Sequence, residues 1–191
     1  MMLAKAAEDK DKNTGEHIMR MRHCSLAVGQ TLGLSEDDLE ILDFGSILHD
    51  VGKIAIADEI LNKPGEFNPH EWEIMKTHAS KGGEILRNGN DPFFAKVALI
   101  PDQHHENYDG TGYPKGLKGE EIDLLARIVA VADTFDALSN KRPYKRKFSM
   151  EEIFKKMEAQ RDKKFDPFIL DSFYECLIKN EIPWRDFLEG K

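Results

Sequence analysis

The sequence lacks the features that mark several classes of protein. Its 191 residues contain only two cysteines, Cys24 and Cys176, which lie far apart and form no CxxC pair, so neither a thiolate zinc site nor a disulfide framework is expected. No apolar run approaches the roughly 20 residues that span a bilayer, and the first residues are too charged for a signal peptide. We therefore expect a cytoplasmic protein that makes no contact with a membrane.

Positive charge is also scarce. The chain has 27 basic and 35 acidic residues and a formal net charge of -8, which argues against a general binder of DNA or RNA. One basic run, "KRPYKRK" from Lys141 to Lys147, is the exception. It is either a solvated surface segment or a contact for the phosphates and bases of a nucleotide.

Strand-like alternation, internal repeats and low-complexity tracts are missing from the sequence, whereas helical periodicity runs through most of it. We predict an all-α fold, a single compact helical bundle with a metal-binding core over about 11–147 and a C-terminal helical extension over about 148–191. Capping residues and periodicity place the helices at Gly15–Leu32, Ser35–Gly52, Asn68–Asn88, after Asp91, Glu120–Asn140, Ser149–Gln160 and Pro167–Asn180, with a loop at Asn107–Gly119.

Five of the seven histidines fall on predicted interior faces or at helix ends, namely His17, His49, His78, His104 and His105. A single interior histidine is more often a hydrogen-bonded core residue than a ligand. Together with Asp50 and Asp133, however, the five predict a multinuclear metal site. Asp133 and Asp136 interrupt an apolar helix one turn apart, and burial of an ionised carboxylate is costly unless it is paired or binds a cation; a surface face is the alternative.

Such a site predicts metal-assisted phosphoester hydrolysis. Two metals could share Asp50 and a bridging hydroxide, which is an effective nucleophile toward phosphorus. Lys53, four residues after His49, is placed to neutralise a phosphoryl oxygen, although a solvated lysine has the same spacing. Imidazole and carboxylate ligands suit iron, manganese, cobalt, nickel or zinc better than magnesium.

Four motifs together resemble one family. They are "ILHDVGKI", "HHENYDGTGYP", "RIVAVADTFDALSNKRPYK" and "FDP" at Phe165 to Pro167, and in order and spacing they are similar to the HD-GYP phosphodiesterases of the HD superfamily. The resemblance covers nearly the whole chain. It implies a helical metal-dependent phosphodiesterase of bacterial second-messenger signalling that hydrolyses cyclic di-GMP to pGpG, and in many members on to GMP, with two or three metals that are often iron or manganese.

The resemblance also implies roles for individual residues. Asp50 would bridge the metals, and Lys53 with Asp136 would form a catalytic lysine and its carboxylate partner. Independently of the resemblance, the residue type predicts that Gly110 and Gly112 supply the flexible φ values of the loop. The implied metal ligands are His17, His49, Asp50, His78, His104, His105 and Asp133, and the implied dinucleotide contacts are Tyr113, Arg142 and Lys145, with Asp11 at a guanine.

One departure from the family pattern sets the expected number of metals. Members with three metals carry a glutamate four residues before the first motif histidine, whereas this chain has Asn13 before His17. Because a neutral amide is a poor ligand for a divalent cation, we predict two metal ions, with His17 either binding the first or lying near it.

Two other functions remain open. One is hydrolysis of another nucleotide, such as cyclic GMP-AMP, because many hydrolases share the HD core. The other is a non-catalytic sensor or interaction module that binds the dinucleotide. The sequence also leaves open an upstream sensory or receiver domain and a homodimer.

Overall fold

The computed structural model describes residues 10, 15–89, 91–139, 148–179 and 181–182 of the chain. Helices dominate these residues, and the prediction of an all-α fold is confirmed. In chain order the helices are α1 (Gly15–Thr31), α2 (Glu36–Leu48), α3 (Asp58–Leu61), α4 (Pro69–Arg87), α5 (Pro92–Val97), α6 (Leu99–Gln103), α7 (Leu124–Ser139), α8 (Met150–Glu158) and α9 (Pro167–Ile178), with 3-10 turns at Val51–Ala55 and Gly119–Glu121.

Side-chain caps set the start of several helices at the predicted positions. Ser35 accepts a hydrogen bond from the amide of Asp38 and begins α2, while Asn68 and Glu71 form a reciprocal capping box at α4. Ser149 caps α8 in the same way. Each cap satisfies amides that the first turn of a helix leaves without an intrahelical partner.

Two predicted helix boundaries are wrong. α2 ends at Leu48 rather than Gly52, because Asp50 leaves the helical region at φ -103 and ψ 10 and the chain tightens into the 3-10 turn. α7 begins at Leu124 rather than Glu120, because Gly119 has a φ of +59 and the side chain of Asp123 accepts the amide of Leu125.

The helix predicted after Asp91 is two short helices. α5 and α6 meet at Ala98, three residues before Pro101. A proline has no amide hydrogen to give the carbonyl of the residue four positions earlier, which here is Val97, so the helical ladder breaks there.

The main core brings together the helices that carry the candidate ligands. α1 packs against α2, α7 and α9, and α4 packs against the first 3-10 turn and α6. Large apolar side chains fill the space between them, including the fully buried Met21, Leu42, Phe135 and Phe173. A smaller cluster of Ile56, Leu61 and Met75 lies under α3 and α4. None of the described helices is long and apolar enough to cross a membrane.

Gly52 fixes the distance between the HD segment and α4. A Cβ atom at this position would lie 1.9 Å from the carbonyl oxygen of His78 and 2.5 Å from the amide nitrogen of Gly82. Both are backbone atoms that cannot rotate away. The absence of a side chain at Gly52 therefore allows His49 and Asp50 to approach His78.

We expect Gly52→Ala to lower the free energy of unfolding by about 3 kcal/mol, the upper range for overpacking, because two backbone segments must separate. Thermal and denaturant unfolding would measure the change. Gly89→Ala is the matched control, since a Cβ there meets no atom within 4 Å. Equal stabilities for the two variants would contradict this account of the packing.

Candidate metal centre

All seven residues that the sequence predicts as metal ligands converge in two adjacent groups. Asp50, His78, His104 and His105 form one group, and His17, His49 and Asp133 form the other. Within each group the potential ligand atoms all lie within 4.8 Å of one another. Five separate parts of the chain supply these atoms, so the helical packing builds the cluster.

Backbone carbonyls orient three of the histidines in the same way. Nδ1 of His49 lies 2.7 Å from the carbonyl oxygen of Ser46, and Nδ1 of His78 lies 2.6 Å from that of Met75. Nδ1 of His104 lies 3.0 Å from the carbonyl oxygen of Pro101. Each Nδ1–H donates to the carbonyl of the residue three positions earlier, which leaves Nε2 facing the centre. Metal-binding imidazoles usually donate their other ring N–H to a carbonyl or carboxylate in this way.

A carboxylate orients the fourth histidine. Nδ1 of His17 lies 2.7 Å from Oδ2 of Asp136, and Nε of Arg20 lies 2.5 Å from Oδ1 of the same carboxylate. Asp136 is buried, which disfavours its charged form, but the hydrogen bonds from His17 and Arg20 lower its pKa. The buried carboxylate therefore stays ionised and directs Nε2 of His17 away from itself.

Asp50 lies between the two ligand groups. Its Oδ1 is 3.4 Å from Nε2 of His78 and 3.7 Å from Nε2 of His104, whereas its Oδ2 is 3.3 Å from Nε2 of His49. The same Oδ2 is 2.8 Å from Nζ of Lys53. One oxygen thus faces each group, and the ammonium of Lys53 lies beside them.

Burial and neighbouring charges shift the pKa values of several groups in the centre. Burial opposes ionisation of Asp50, but the charges of Lys53 and His49 hold its pKa well below the usual range. Burial lowers the pKa of His78 to about 4 and also lowers that of His105. For His49 the neighbouring carboxylates outweigh burial and raise the pKa to about 9. His78 and His105 are neutral at pH 7, the form in which imidazole binds a cation.

The unsatisfied nitrogens of the cluster fit a metal centre. Nε2 of His49 and Nε2 of His104 are buried and make no hydrogen bond with any part of the chain that the structure describes. Nε2 of His105 lies 3.1 Å from Nε2 of His78, an approach that suits two ligands of one cation. Because buried polar atoms are normally hydrogen-bonded, this pattern is best explained by coordination.

The loop after His105 covers one side of the centre. The ring of Tyr113 stacks on His105 with centroids 4.8 Å apart and an angle of 28° between the rings. Buried Glu106 accepts the amides of Lys115 and Leu117 and so holds the loop closed. The peptide bond between Tyr113 and Pro114 is cis.

Only one of the two glycines proposed for flexible φ values needs such a value. Gly110 has a φ of +87, as expected for a residue in the left-handed region. Gly112 has no such φ, and the prediction for it is wrong. A Cβ on Gly112 would instead lie 2.2 Å from the amide nitrogen of Asn107 and 2.5 Å from Cα of Glu106. Its role is to permit close approach of two backbone segments.

The structure assigns different partners to the predicted catalytic pair. Lys53 lies beside Asp50, whereas Asp136 contacts His17 and Arg20. The pairing of Lys53 with Asp136 stays a prediction. Arg20 was missed in the sequence, although its position three residues after His17, on the same face of α1, was a usable signal. Four residues singled out in the sequence, Asp11, Asn13, Arg142 and Lys145, lie outside the described residues.

Comparison with known proteins identifies the family. The HD domain family model matches residues 1–169. The chain belongs to the HD domain family. The resemblance seen in the motifs is thereby confirmed at the level of the superfamily.

Relatives of this HD domain are cyclic dinucleotide phosphodiesterases. It is 46% identical over 170 residues to the cyclic di-GMP phosphodiesterase response regulator RpfG of Xanthomonas campestris, covering 89% of the chain and 45% of the relative. It is 39% identical over 186 residues to 3'3'-cGAMP-specific phosphodiesterase 2 of Vibrio cholerae, covering 97% of the chain and 34% of the relative. The chain therefore spans less than half the length of these relatives.

Solved structures support the same fold. The HD domain superposes on Bd1817, an HD-GYP-type protein of Bdellovibrio bacteriovorus, with a TM-score of 0.67 and 26% identity over 84% of the chain and 51% of the other protein. It superposes on a cyclic GMP-AMP-specific phosphodiesterase of Vibrio cholerae with a TM-score of 0.74 and 24% identity, covering 96% and 48% of the two chains. At that identity the second match shows the fold alone.

We expect Asp136→Asn to weaken metal binding by about 10–100-fold at the group of His17, His49 and Asp133, because an amide supplies no charge to balance the histidine. Metal titration with a competing chelator would measure the affinity. Asp43→Asn is the control, since that carboxylate also pairs with an arginine of α1, Arg22, and belongs to neither ligand group. Wild-type metal affinity with a lower kcat would instead support the predicted role of Asp136 beside Lys53.

Proposed function

We propose that this HD domain is a metal-dependent phosphodiesterase that hydrolyses cyclic di-GMP to pGpG. The observation that carries the proposal is the position of Asp50, which offers one oxygen to each histidine group beside the ammonium of Lys53. A centre with two ligand groups around a shared carboxylate suits displacement at phosphorus. The names of the relatives, RpfG among them, agree with a cyclic dinucleotide as the substrate.

The ligand set supports two divalent cations, with iron or manganese as the best match to its imidazole and carboxylate donors. Asp50, His78, His104 and His105 would hold one cation, and His17, His49 and Asp133 the other, with Asp50 reaching both. When bound, such cations supply an activated water for attack on phosphorus and neutralise charge on the phosphate.

Residues of the chain complete the reaction. Lys53 would hold its ammonium against a phosphate oxygen as negative charge accumulates there, because its Nζ already lies beside the shared carboxylate. Tyr113, fixed on His105, would line the substrate side of the centre. Arg142 and Lys145 would contact the dinucleotide, and Asp11 a guanine, as their motif positions imply.

Cyclic GMP-AMP is the second candidate substrate. The relative specific for this dinucleotide aligns with 97% of the chain, more of it than RpfG does. A non-catalytic sensor is disfavoured, since all seven predicted ligands and Lys53 are retained and the ligands converge. Both dinucleotides would present a phosphodiester to the metal centre. The preference between them therefore depends on contacts with the bases.

Incubation of the metal-loaded protein with cyclic di-GMP should release pGpG, detected by liquid chromatography. Cyclic GMP-AMP in a parallel reaction would rank the two substrates by kcat/KM. The metal content is measured in the same sample, so that lack of turnover cannot be mistaken for lack of metal. Tight binding of the dinucleotide with full metal content and no product would replace the phosphodiesterase with a sensor.

Asp50→Ala should remove most of both metals, since the shared carboxylate contributes to each group, and should abolish hydrolysis. Metal analysis of the wild-type protein should give two equivalents per chain. Asp58→Ala is the matched control, because that carboxylate is exposed on α3 and belongs to neither ligand group. Full metal content in Asp50→Ala would refute the shared carboxylate, and three equivalents in the wild-type protein would refute the dinuclear centre.

A further inference from the structure

Three aromatic side chains, Phe67, Trp72 and Tyr113, form a continuous surface next to the metal centre, which we call the aromatic ledge. Tyr113 begins the ledge, because its ring stacks on the ligand His105 and also lies 6.5 Å from His78 at an angle of 76°. The ring of Tyr113 is therefore fixed to the ligand cluster itself.

Trp72 extends the ledge away from the ligands. Its indole meets the ring of Tyr113 with centroids 5.9 Å apart at an angle of 80°. It lies in the first turn of α4, the helix that carries His78, so its backbone position relative to the centre is set by a capped helix. Only two ring contacts separate the indole from His105.

The indole is supported from behind yet remains accessible. Phe67 stacks on Trp72 with centroids 6.2 Å apart and an angle of 22°, and Phe67 itself packs on the buried cluster of Ile56, Leu61 and Met75. Even so, 42% of Trp72 is exposed. A tryptophan that is held in place while much of its surface is in water is suited to bind a flat ligand.

The position of the ledge indicates the ligand. A cyclic dinucleotide whose phosphate lies at the metal centre has to place its bases beside that centre, and aromatic side chains stack on any base because every base has a π-face. Lys76, one helical turn after Trp72, has its Nζ 6.0 Å from the centroid of Tyr113 and pairs with Glu73 at 2.8 Å, so its charge is partly balanced. The accessible indole of Trp72 is therefore the feature of the ledge that suits a nucleotide base.

We propose that Trp72, supported by Phe67 and Tyr113, stacks on a purine base of the dinucleotide and so positions its phosphodiester at the metal centre. The proposal rests on the proposed function for the location of the phosphate. Trp72 is a substrate-binding residue in this arrangement. The ledge contributes to the affinity for the dinucleotide and does not act on the reacting atoms.

Kinetics of Trp72→Ala would test the ledge. With cyclic di-GMP we expect a rise in KM of about tenfold, within the range for loss of one stacked base, while kcat is retained. Trp72→Phe should restore most of the affinity. Methyl p-nitrophenyl phosphate, a phosphodiester without a base, should be hydrolysed equally by the wild-type protein and both variants. Phe168→Ala is the control, because Phe168 is 67% exposed on α9 and should leave both substrates unaffected.

Fluorescence gives a test that does not need the Ala variant to fold or the enzyme to turn over. The chain has two tryptophans, so Trp184→Phe leaves Trp72 as the only tryptophan, whose emission is followed with excitation selective for tryptophan over tyrosine. Stacking predicts that cyclic di-GMP and cyclic GMP-AMP each quench the indole emission to saturation. Quenching without hydrolysis would overturn the proposed phosphodiesterase activity but would still support stacking of the dinucleotide on Trp72.

Three results would overturn the ledge. The first is hydrolysis of cyclic di-GMP with no change in Trp72 emission. The second is a wild-type KM in Trp72→Ala. The third is an equal loss of activity toward the base-free phosphodiester, which would assign Trp72 a structural role only.

Discussion

The centre depends on one repeated interaction, the hydrogen bond from a histidine Nδ1 to the carbonyl of the residue three positions earlier. His49 and His104 make it just after the last turns of α2 and α6, where carbonyls lack intrahelical partners, and His78 makes it within α4. At the two helix ends the bond satisfies the free carbonyl, and in all three cases it orients the ring so that Nε2 faces the centre. Movement of any of these helix turns would therefore turn a ligand away from the centre.

Charge balance is the second condition for the cluster. The buried Asp136 pairs with Arg20, and the half-buried Asp50 pairs with Lys53. Such pairs are tolerated in the interior because each charge has an immediate counterion and further hydrogen bonds. The arrangement allows two carboxylates to remain ionised within an apolar bundle without depending on the metals alone.

The sequence predicted most helix starts and the seven residues that the structure brings together, because both leave local signals. Ser35 and Asn68 are typical helix-capping residues, and histidines on apolar faces indicate an interior polar site. The bond between Asp136 and Arg20 and the steric role of Gly112 could not be predicted with the same ease. Both depend on a distance between segments that periodicity does not contain, such as the approach of Gly112 to Asn107. The break at Ala98 was missed although Pro101 is a local signal for it.

The loop over the centre is also held by the C-terminal part of the bundle. The amide of Asp109 donates to the carbonyl of Lys163 at 2.8 Å, and that of Tyr108 donates to the carbonyl of Lys164 at 3.3 Å. Asp166, two residues farther on, caps α9 and pairs with Arg127 of α7. Hydrogen bonds thus join the loop, the segment before α9 and α7, so that local opening of α9 would loosen the covering of the metal centre.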